Sequence, residues 1–438
     1  MLYANERMFV EGFMERKRVF ITGLGIFSGI GNDLSSVTDS LHSLRHGFRP
    51  FPTYSPYEDD DSGAVKLVSA PDGFEVDSLD FEDWTYPSEY QIRREELRGL
   101  APHGLYAYCA MKQAIGDAKL NEADVSNCDT GIYTASGGST RMIYSNIQRM
   151  RELGPMRCSP TGIVSSISGT LSFNLVAIFK VMGNSCGFSS ACTSSGHALG
   201  FAYEDIAFGR QSRMFVVAGE DVNYESVVPF AGMRALSLER DPERASCPFD
   251  RSRNGFVSAG GAAVLVLESE DEVVRRGADP YAELAGWGQA SDGHNVAISH
   301  PEGRGLVRAM KLAFESTAVK PEDIDYINAH ATSTIIGDAS EGKAIQEVFG
   351  EARDRPRISS TKAITGHGLS LASALEGAIV CLAIKKDFTP GSAHIAEIDP
   401  VFEGLNIIRK TDMTGPESAL SNSSGFGGAN VSLVFKKA

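Results

Sequence analysis

Cys192 lies in a tight run of small polar residues, Ser189-Ser190-Ala191-Cys192-Thr193-Ser194-Ser195-Gly196-His197. The small side chains allow a sharp bend, and Ala198 to Phe208, which follows, is apolar and aromatic enough for a buried helix. The spacing therefore predicts a cysteine at a helix start, where unpaired N–H groups and the positive helix end favour the nucleophilic thiolate. The plain alternative is a buried structural cysteine, since free Cys packs as a small hydrophobe.

A nucleophilic thiol needs a base or hydrogen-bond donors beside it, and two histidines lie in loops that follow strands, where α/β proteins build their sites. His330 stands in Asn328-Ala329-His330-Ala331-Thr332-Ser333-Thr334, after the strand residues Tyr326-Ile327. His367 ends Ser360-Thr361-Lys362-Ala363-Ile364-Thr365-Gly366-His367. Either could be an ordinary loop histidine. Lys362 precedes His367, however, and Asp338 and Glu341 follow His330 on a predicted helix start, so charges of both signs converge and can shift pKa values. Near the C-terminus, Asn422-Ser423-Ser424-Gly425-Phe426-Gly427-Gly428-Ala429-Asn430 is a glycine-rich turn able to aim backbone N–H groups at an oxyanion, or simply to connect two strands.

The elements that must position these residues alternate along the chain. Val19 to Thr22 predicts a buried strand entering a glycine turn at Gly23-Leu24-Gly25. This is no dinucleotide fingerprint, because Ser28 stands where a third glycine would open a helix. The acidic run Glu58 to Asp61, flanked by Pro50, Pro52 and Pro56, predicts an exposed loop. Ala101 to Ala118 has helical spacing, Gly131 to Ala135 is a strand running into Ser136-Gly137-Gly138, and Leu171 to Met182 predicts a core helix. Gly209 is a helix stop before the strand Met214 to Ala218. A further unbroken apolar strand, Ala262 to Leu267, precedes a charged stretch taken as the boundary between two comparable halves. Strands at Ile324–Ile327, Ile358–Ser360 and Val431–Phe435 follow, with no repeat visible residue by residue. Continuous apolar strands joined by helices predict sheets covered on both faces.

Composition narrows the function classes. The 438 residues, 42% hydrophobic and 22% charged, suit a soluble globular chain with a sizeable core. A net charge of −15 argues against general nucleic-acid or anionic-membrane binding. Seven cysteines with no CxxC pair signal neither a disulfide framework nor a zinc site, and predict a reducing, cytoplasmic setting. Met1 to Glu15 lacks the continuous apolar stretch of a secretory signal, and the Leu171–Met182 run falls short of the ~20 residues a membrane span needs.

Taken in order and spacing, Ser190-Ala191-Cys192, Asn328-Ala329-His330, Thr361-Lys362 to Gly366-His367 and Gly425-Phe426-Gly427-Gly428 resemble the β-ketoacyl-acyl-carrier-protein synthases of fatty-acid and polyketide synthesis. The likeness runs from about Arg18 to the end. Ile21-Thr22-Gly23-Leu24-Gly25, Met233-Arg234-Ala235-Leu236-Ser237 and Pro248-Phe249-Asp250 to Asn254-Gly255-Phe256-Val257 support it, and Ser258-Ala259-Gly260-Gly261 leans toward the type I branch of the bacterial elongating enzymes.

The resemblance implies an α/β, thiolase-like fold of two similar halves, each a mixed sheet with helices, layered αβαβα. Residues 1–17 would be an extension, 18–271 the half with the nucleophile, and 272–438 the half with both histidines. The implied reaction is a decarboxylating Claisen condensation of a Cys192-bound acyl chain with malonyl-carrier protein. His330 and His367 would stabilise the enolate, Lys362 and Glu341 would tune the cluster, and the N–H groups of Cys192 and Phe426 would form the oxyanion hole, with Phe426 also a gate. Thr332 and Thr334 match phosphopantetheine-binding positions, and Phe230, Ser424 and Leu371 match the acyl pocket. The resemblance implies no resident cofactor or metal, since the phosphopantetheine arrives on the carrier protein, and it implies a homodimer. Docking of an acidic carrier protein would fall to Arg149, Arg151 and Arg157, or to Arg93, Arg94 and Arg98.

Four places depart from the family pattern. Ser424 replaces a phenylalanine, Ala331 a glycine, Ala429 a threonine, and Ser370-Leu371-Ala372-Ser373 a Gly-Ala-Ala-Gly run, so the lining around the thiol changes while the catalytic set stays. Two other readings compete. A catalytically silent chain-length partner would lack the nucleophile, which this chain keeps. A thiolase would need a second cysteine in a C-terminal Cys-x-Gly turn, and Gly425 to Asn430 has none.

Overall fold

The computed structural model describes residues 16–51, 65–350 and 356–438. The acidic run Glu58 to Asp61 and all but the end of the N-terminal extension lie outside the described residues. Thirteen strands are present among those described: β1 (Val19–Phe27), β2 (Phe48–Pro50), β3 (Leu67–Ser69), β4 (Thr130–Ala135), β5 (Ser185–Phe188), β6 (Arg213–Glu220), β7 (Ser258–Ala259), β8 (Gly261–Ser269), β9 (Ala282–Ser291), β10 (Tyr326–Asn328), β11 (Arg357–Ser359), β12 (Ser418–Gly425) and β13 (Ala429–Lys436).

Ten strands form one sheet in the order β11-β10-β12-β13-β9-β1-β8-β6-β4-β5. It divides into two runs of five that meet only through the short pairing of Phe20 with Glu283 and Ile21 with Ala282. In both runs the strands, numbered as they occur in the chain, stand in the spatial order third, second, fourth, fifth, first. The directions match as well. β4 is parallel to β5 and β6, with β8 and β1 antiparallel beyond, just as β10 is parallel to β11 and β12, with β13 and β9 antiparallel beyond. A repeat that leaves no residue-level trace is thus plain in the topology.

Each sheet face is covered, which is why the strands read as continuous apolar runs. In β8, Ala263, Leu265 and Leu267 point into a central core while Ala262, Val264 and Val266 point into an outer one, following the two-residue period of a strand. The helices Ser194–Ala207 and Ala372–Lys386 form the middle layer, each touching strands of both runs. The helix Pro102–Asp117 covers the first run and Arg304–Glu315 the second, so five layers stack as αβαβα.

Two expectations need correction. Gly23-Leu24-Gly25 is no turn but the middle of β1, and its glycines serve close packing of helix on sheet. A Cβ on Gly25 would sit 1.9 Å from the Ala110 carbonyl oxygen, and one on Gly23 2.6 Å from the Ala118 Cβ. The helix Thr170–Phe179 buries only Thr170, Leu171, Ser172 and Leu175 and leaves Phe173 exposed, so the predicted core helix is half surface.

Candidate active site

Cys192 sits between β5 and the helix Ser194–Ala207, whose N-cap is Thr193. Its predecessor Ala191 adopts a left-handed φ of 52°, a conformation that costs a non-glycine residue roughly 1–2 kcal/mol and is tolerated where it aims a functional group. The Ser194 side chain holds the bend, receiving the Ser190 N–H at 2.8 Å and donating to the Ala191 carbonyl at 2.6 Å.

His367 Nε2 lies 3.0 Å from Cys192 Sγ. Its backbone extends the small sheet of β2, β3 and β7: its N–H donates to the Val257 carbonyl at 2.8 Å and its carbonyl accepts from Ala259 N–H at 3.0 Å. The ring meets that of His330 edge-on, with centroids 5.3 Å apart. Glu341, on the helix Ile335–Phe349, pins the His330 loop by accepting the N–H groups of His330 and Ala331 at 2.9 and 2.7 Å. Asn422 Nδ2 supports the same carboxylate at 3.3 Å.

Lys362 is buried, and its ammonium pairs with Glu376, not with Glu341. Glu376 is the member of the cluster that sequence reasoning missed. The signal was present: it is the only charge in the apolar stretch Ala372 to Ile384, and a charge inside a buried helix requires a partner. Replacing Lys362 with Met alone would strand the Glu376 carboxylate. The expected loss is about 3–5 kcal/mol of unfolding free energy, read by urea denaturation, with most of it restored when Glu376→Leu is added. Equal stability of the single and double variants would show that the pair carries no such penalty.

Burial, and then the Lys362 charge, hold His367 well below the ordinary histidine range; the same two causes, with His367 added, do so for His330. Both rings are neutral near pH 7. Burial also pushes the Cys192 thiol up to about 12, with Lys362 pulling it partly back. The helix begins two residues later than expected, at Ser194, and burial, the largest influence on the sulfur, works against the expected helix-start thiolate. The group nearest the Cys192 thiol that can exchange a proton with it is the His367 imidazole at 3.0 Å.

Two cavities meet at Cys192 and share Phe230, Leu369 and Phe426 in their walls. The larger, about 370 Å³, contains His330, His367, Glu341, Thr332, Thr334, Ser424 and, among its exposed wall residues, Arg234. Thr332 and Thr334 lie side by side, with Oγ1 atoms 3.1 Å apart. The smaller, about 250 Å³, runs from Cys192 to Glu220 and Ser370. Gly425 abuts Cys192, since a Cβ there would be 3.1 Å from Cys192 N, and this places the Phe426 turn beside it. Leu371 lines neither cavity. The turn Leu369–Leu371, with Leu369 at φ 48°, buries Leu371 in the central core and gives the wall positions to Leu369 and Ser370. None of the named docking arginines lines either cavity. Among the described residues no cluster of His, Cys, Asp and Glu could hold a metal ion, and no helix is long and apolar enough to cross a membrane.

Residues 16–273 match the beta-ketoacyl synthase N-terminal domain and residues 281–396 the beta-ketoacyl synthase C-terminal domain. The chain belongs to the β-ketoacyl synthase family. It is 38% identical to the 3-oxoacyl-[acyl-carrier-protein] synthase 1 of Escherichia coli strain K12, over 96% of this chain and 99% of that one. A β-ketoacyl synthase crystal structure from Burkholderia phymatum superposes with a TM-score of 0.87 at 31% identity, covering 96% of this chain and all of the other. A type II polyketide ketosynthase, solved in complex with its acyl-carrier protein, superposes at 0.86 with 25% identity, over 97% of this chain and all of that one. Family membership makes this β-ketoacyl synthase a carbon–carbon bond-forming acyltransferase.

Proposed function

We propose that Cys192 carries the acyl chain as a thioester and that His330 and His367 drive decarboxylation of the malonyl thioester. The observation that carries this reading is the convergence of one thiol and two neutral imidazoles on the junction of two cavities. In acyl transfer the Cys192 sulfur attacks the carrier-bound thioester, its proton passes to His367 Nε2, and the leaving pantetheine thiolate takes that proton away. In condensation, loss of CO2 leaves charge on the malonyl thioester oxygen, and imidazole N–H donors placed where that charge develops lower the barrier directly, His367 having passed, once the thiol is acylated, to the tautomer with its hydrogen on Nε2. The enolate carbon then attacks the Cys192 thioester, whose oxyanion is received by the N–H groups of Cys192 and Phe426; collapse of this adduct breaks the carbon–sulfur bond, releases the β-ketoacyl product and returns Cys192 as a thiolate that takes a proton from solvent. Glu341 and Glu376 act through other groups: the first positions the His330 loop, the second compensates Lys362.

The larger cavity takes the phosphopantetheine arm along Thr332 and Thr334, and no resident cofactor enters this reading. The smaller takes the acyl chain, with Phe230 and Phe426 at the junction. For an acidic carrier protein, Arg234 supplies a cation at the cavity itself, and Arg149, Arg151 and Arg157 form an exposed group in which Arg149 Nε donates to the Arg157 carbonyl. Arg93 and Arg94 are weaker docking candidates because Glu96 and Glu82 neutralise them. A homodimer is in keeping with the exposed edge strand β5 and with Ile143, Tyr144 and Ile147, which the helix Thr140–Leu153 leaves exposed. Seven unpaired cysteines suit the cytoplasm. We place the division between the two halves near residue 271, two residues before the first matching range ends at 273 and ahead of the second, which begins at 281.

Incubation with acyl-loaded carrier protein should add one acyl mass at Cys192, and subsequent malonyl-carrier protein should discharge it as β-ketoacyl product with release of CO2. Product formation without any Cys192 adduct would overturn the reading.

A further inference from the structure

The smaller cavity is lined for something other than a plain alkyl chain. Its wall includes Glu220, at the end of β6, a carboxyl group only 4% exposed. Among its other polar wall residues, Ser194 and Ser226 spend their hydroxyl hydrogens on backbone carbonyls, of Ala191 and Asn223. The hydroxyl of Ser370 goes to Glu220 Oε2, which also accepts the Ser370 N–H at 3.3 Å. That leaves the second carboxyl oxygen. Oε1 faces Gly137, where a Cβ would come within 3.3 Å of it, so the absence of a side chain at Gly137 keeps this oxygen uncovered on the cavity side.

The neighbouring charges do not satisfy it. Asp221 is occupied by His103, accepting its N–H at 2.8 Å and facing its Nδ1 at 2.8 Å, and by Asn223 Nδ2 at 3.2 Å. No cation comes within salt-bridge distance of Glu220 among the described residues, although His103, held by Asp221, acts on it from farther away. Burial pushes its carboxyl up to about 7, so near neutral pH both the protonated and the ionised form are populated. A saturated chain packed against Oε1 would leave a buried polar group unpaired in either form, which is the costly case. A hydroxyl group answers both forms, accepting from the acid and donating to the carboxylate.

We propose that Glu220 is a specificity-determining residue and that the acyl cavity selects short chains bearing a hydroxyl group over their unsubstituted counterparts. The volume, about 250 Å³, is below the usual range of small-molecule pockets and suits a short chain. This inference rests on the reading that Cys192 carries the acyl group.

The test is the rate of Cys192 acylation, followed by intact mass, with carrier protein loaded separately with hexanoyl, each hydroxyhexanoyl positional isomer and 6-aminohexanoyl groups. At least one hydroxy chain should load about tenfold faster than hexanoyl or more, since a site built around a polar partner rejects the analogue that lacks it. Glu220→Leu should bring that ratio to one or below, and Glu220→Gln, which keeps the hydrogen-bonding capacity, should retain it within about threefold. Gly137→Ala, which covers Oε1 without altering the acid, should lower the ratio too and serves if Glu220→Leu fails to fold. Hexanoyl loading as fast as every hydroxy isomer in the unaltered protein would overturn the inference while leaving the condensing reading intact. Fastest loading of the amino chain would assign the cavity to a cation and overturn the hydroxyl assignment. Failure of every chain to load would bring down the condensing reading itself.

Discussion

Cys192→Ala abolishes the acyl adduct and lowers condensation by about 10⁴-fold or more, the scale on which loss of the nucleophile shows in covalent enzymes. No other group can take over, because the remaining cysteines include Cys381 and Cys109 in the cores and Cys128 and Cys186 at the surface. The variant should nonetheless fold, since alanine fits where a small buried side chain stood. It should also still release CO2 from malonyl-carrier protein, because the two imidazoles and the Lys362–Glu376 pair do not depend on the sulfur. Intact mass, labelled CO2 release and product chromatography separate these outcomes. A Cys192→Ala protein that still forms β-ketoacyl product would refute the assignment of the nucleophile.

His367→Ala has the second largest effect and a different pattern. Condensation should fall about 10²–10³-fold, the loss expected when one donor to a developing oxyanion is removed. Acylation of Cys192 should fall less, because the thiol can still give its proton to water or to His330 across the junction. Losses of equal size in the two half-reactions would show that His367 acts on the thiol alone. His330 lies one ring farther from the sulfur, so His330→Ala should separate the half-reactions more widely still.

Much of this site could be read before the fold was known, because each participant stands in a short loop after a strand and carries its chemistry in its residue type. Cys192, His330, His367 and Lys362 belong to that class. Glu376 was equally visible in principle, as a solitary charge within an apolar helix. Glu220 was not. In sequence it is the polar end of an apolar strand, and only the folded chain shows that Ser370 and Gly137, far away along the chain, leave one of its oxygens facing a cavity. The ionisation state of the thiol was also misread, since a helix start is a local feature and desolvation is not. The strand order within each five-stranded run escaped notice for a related reason: pairing directions are conserved between the halves, whereas the residues that make them are not.

That doubled topology assigns each half its own task. Past the second strand of the later half comes His330, and the matching station of the earlier half holds Ser136 to Gly138. Past the third strands come Lys362 to His367 in one copy and Cys192 in the other, so the nucleophile and its 3.0 Å neighbour are counterparts across a pseudo-dyad. At the fourth strands the Phe426 turn answers Glu220. On the reading proposed above, the later copy supplies the bond-making histidines and the earlier copy holds the acyl chain. On that reading, changes at stations such as 137 and 220 alter what the earlier copy accepts while the later copy's histidines stay as they are.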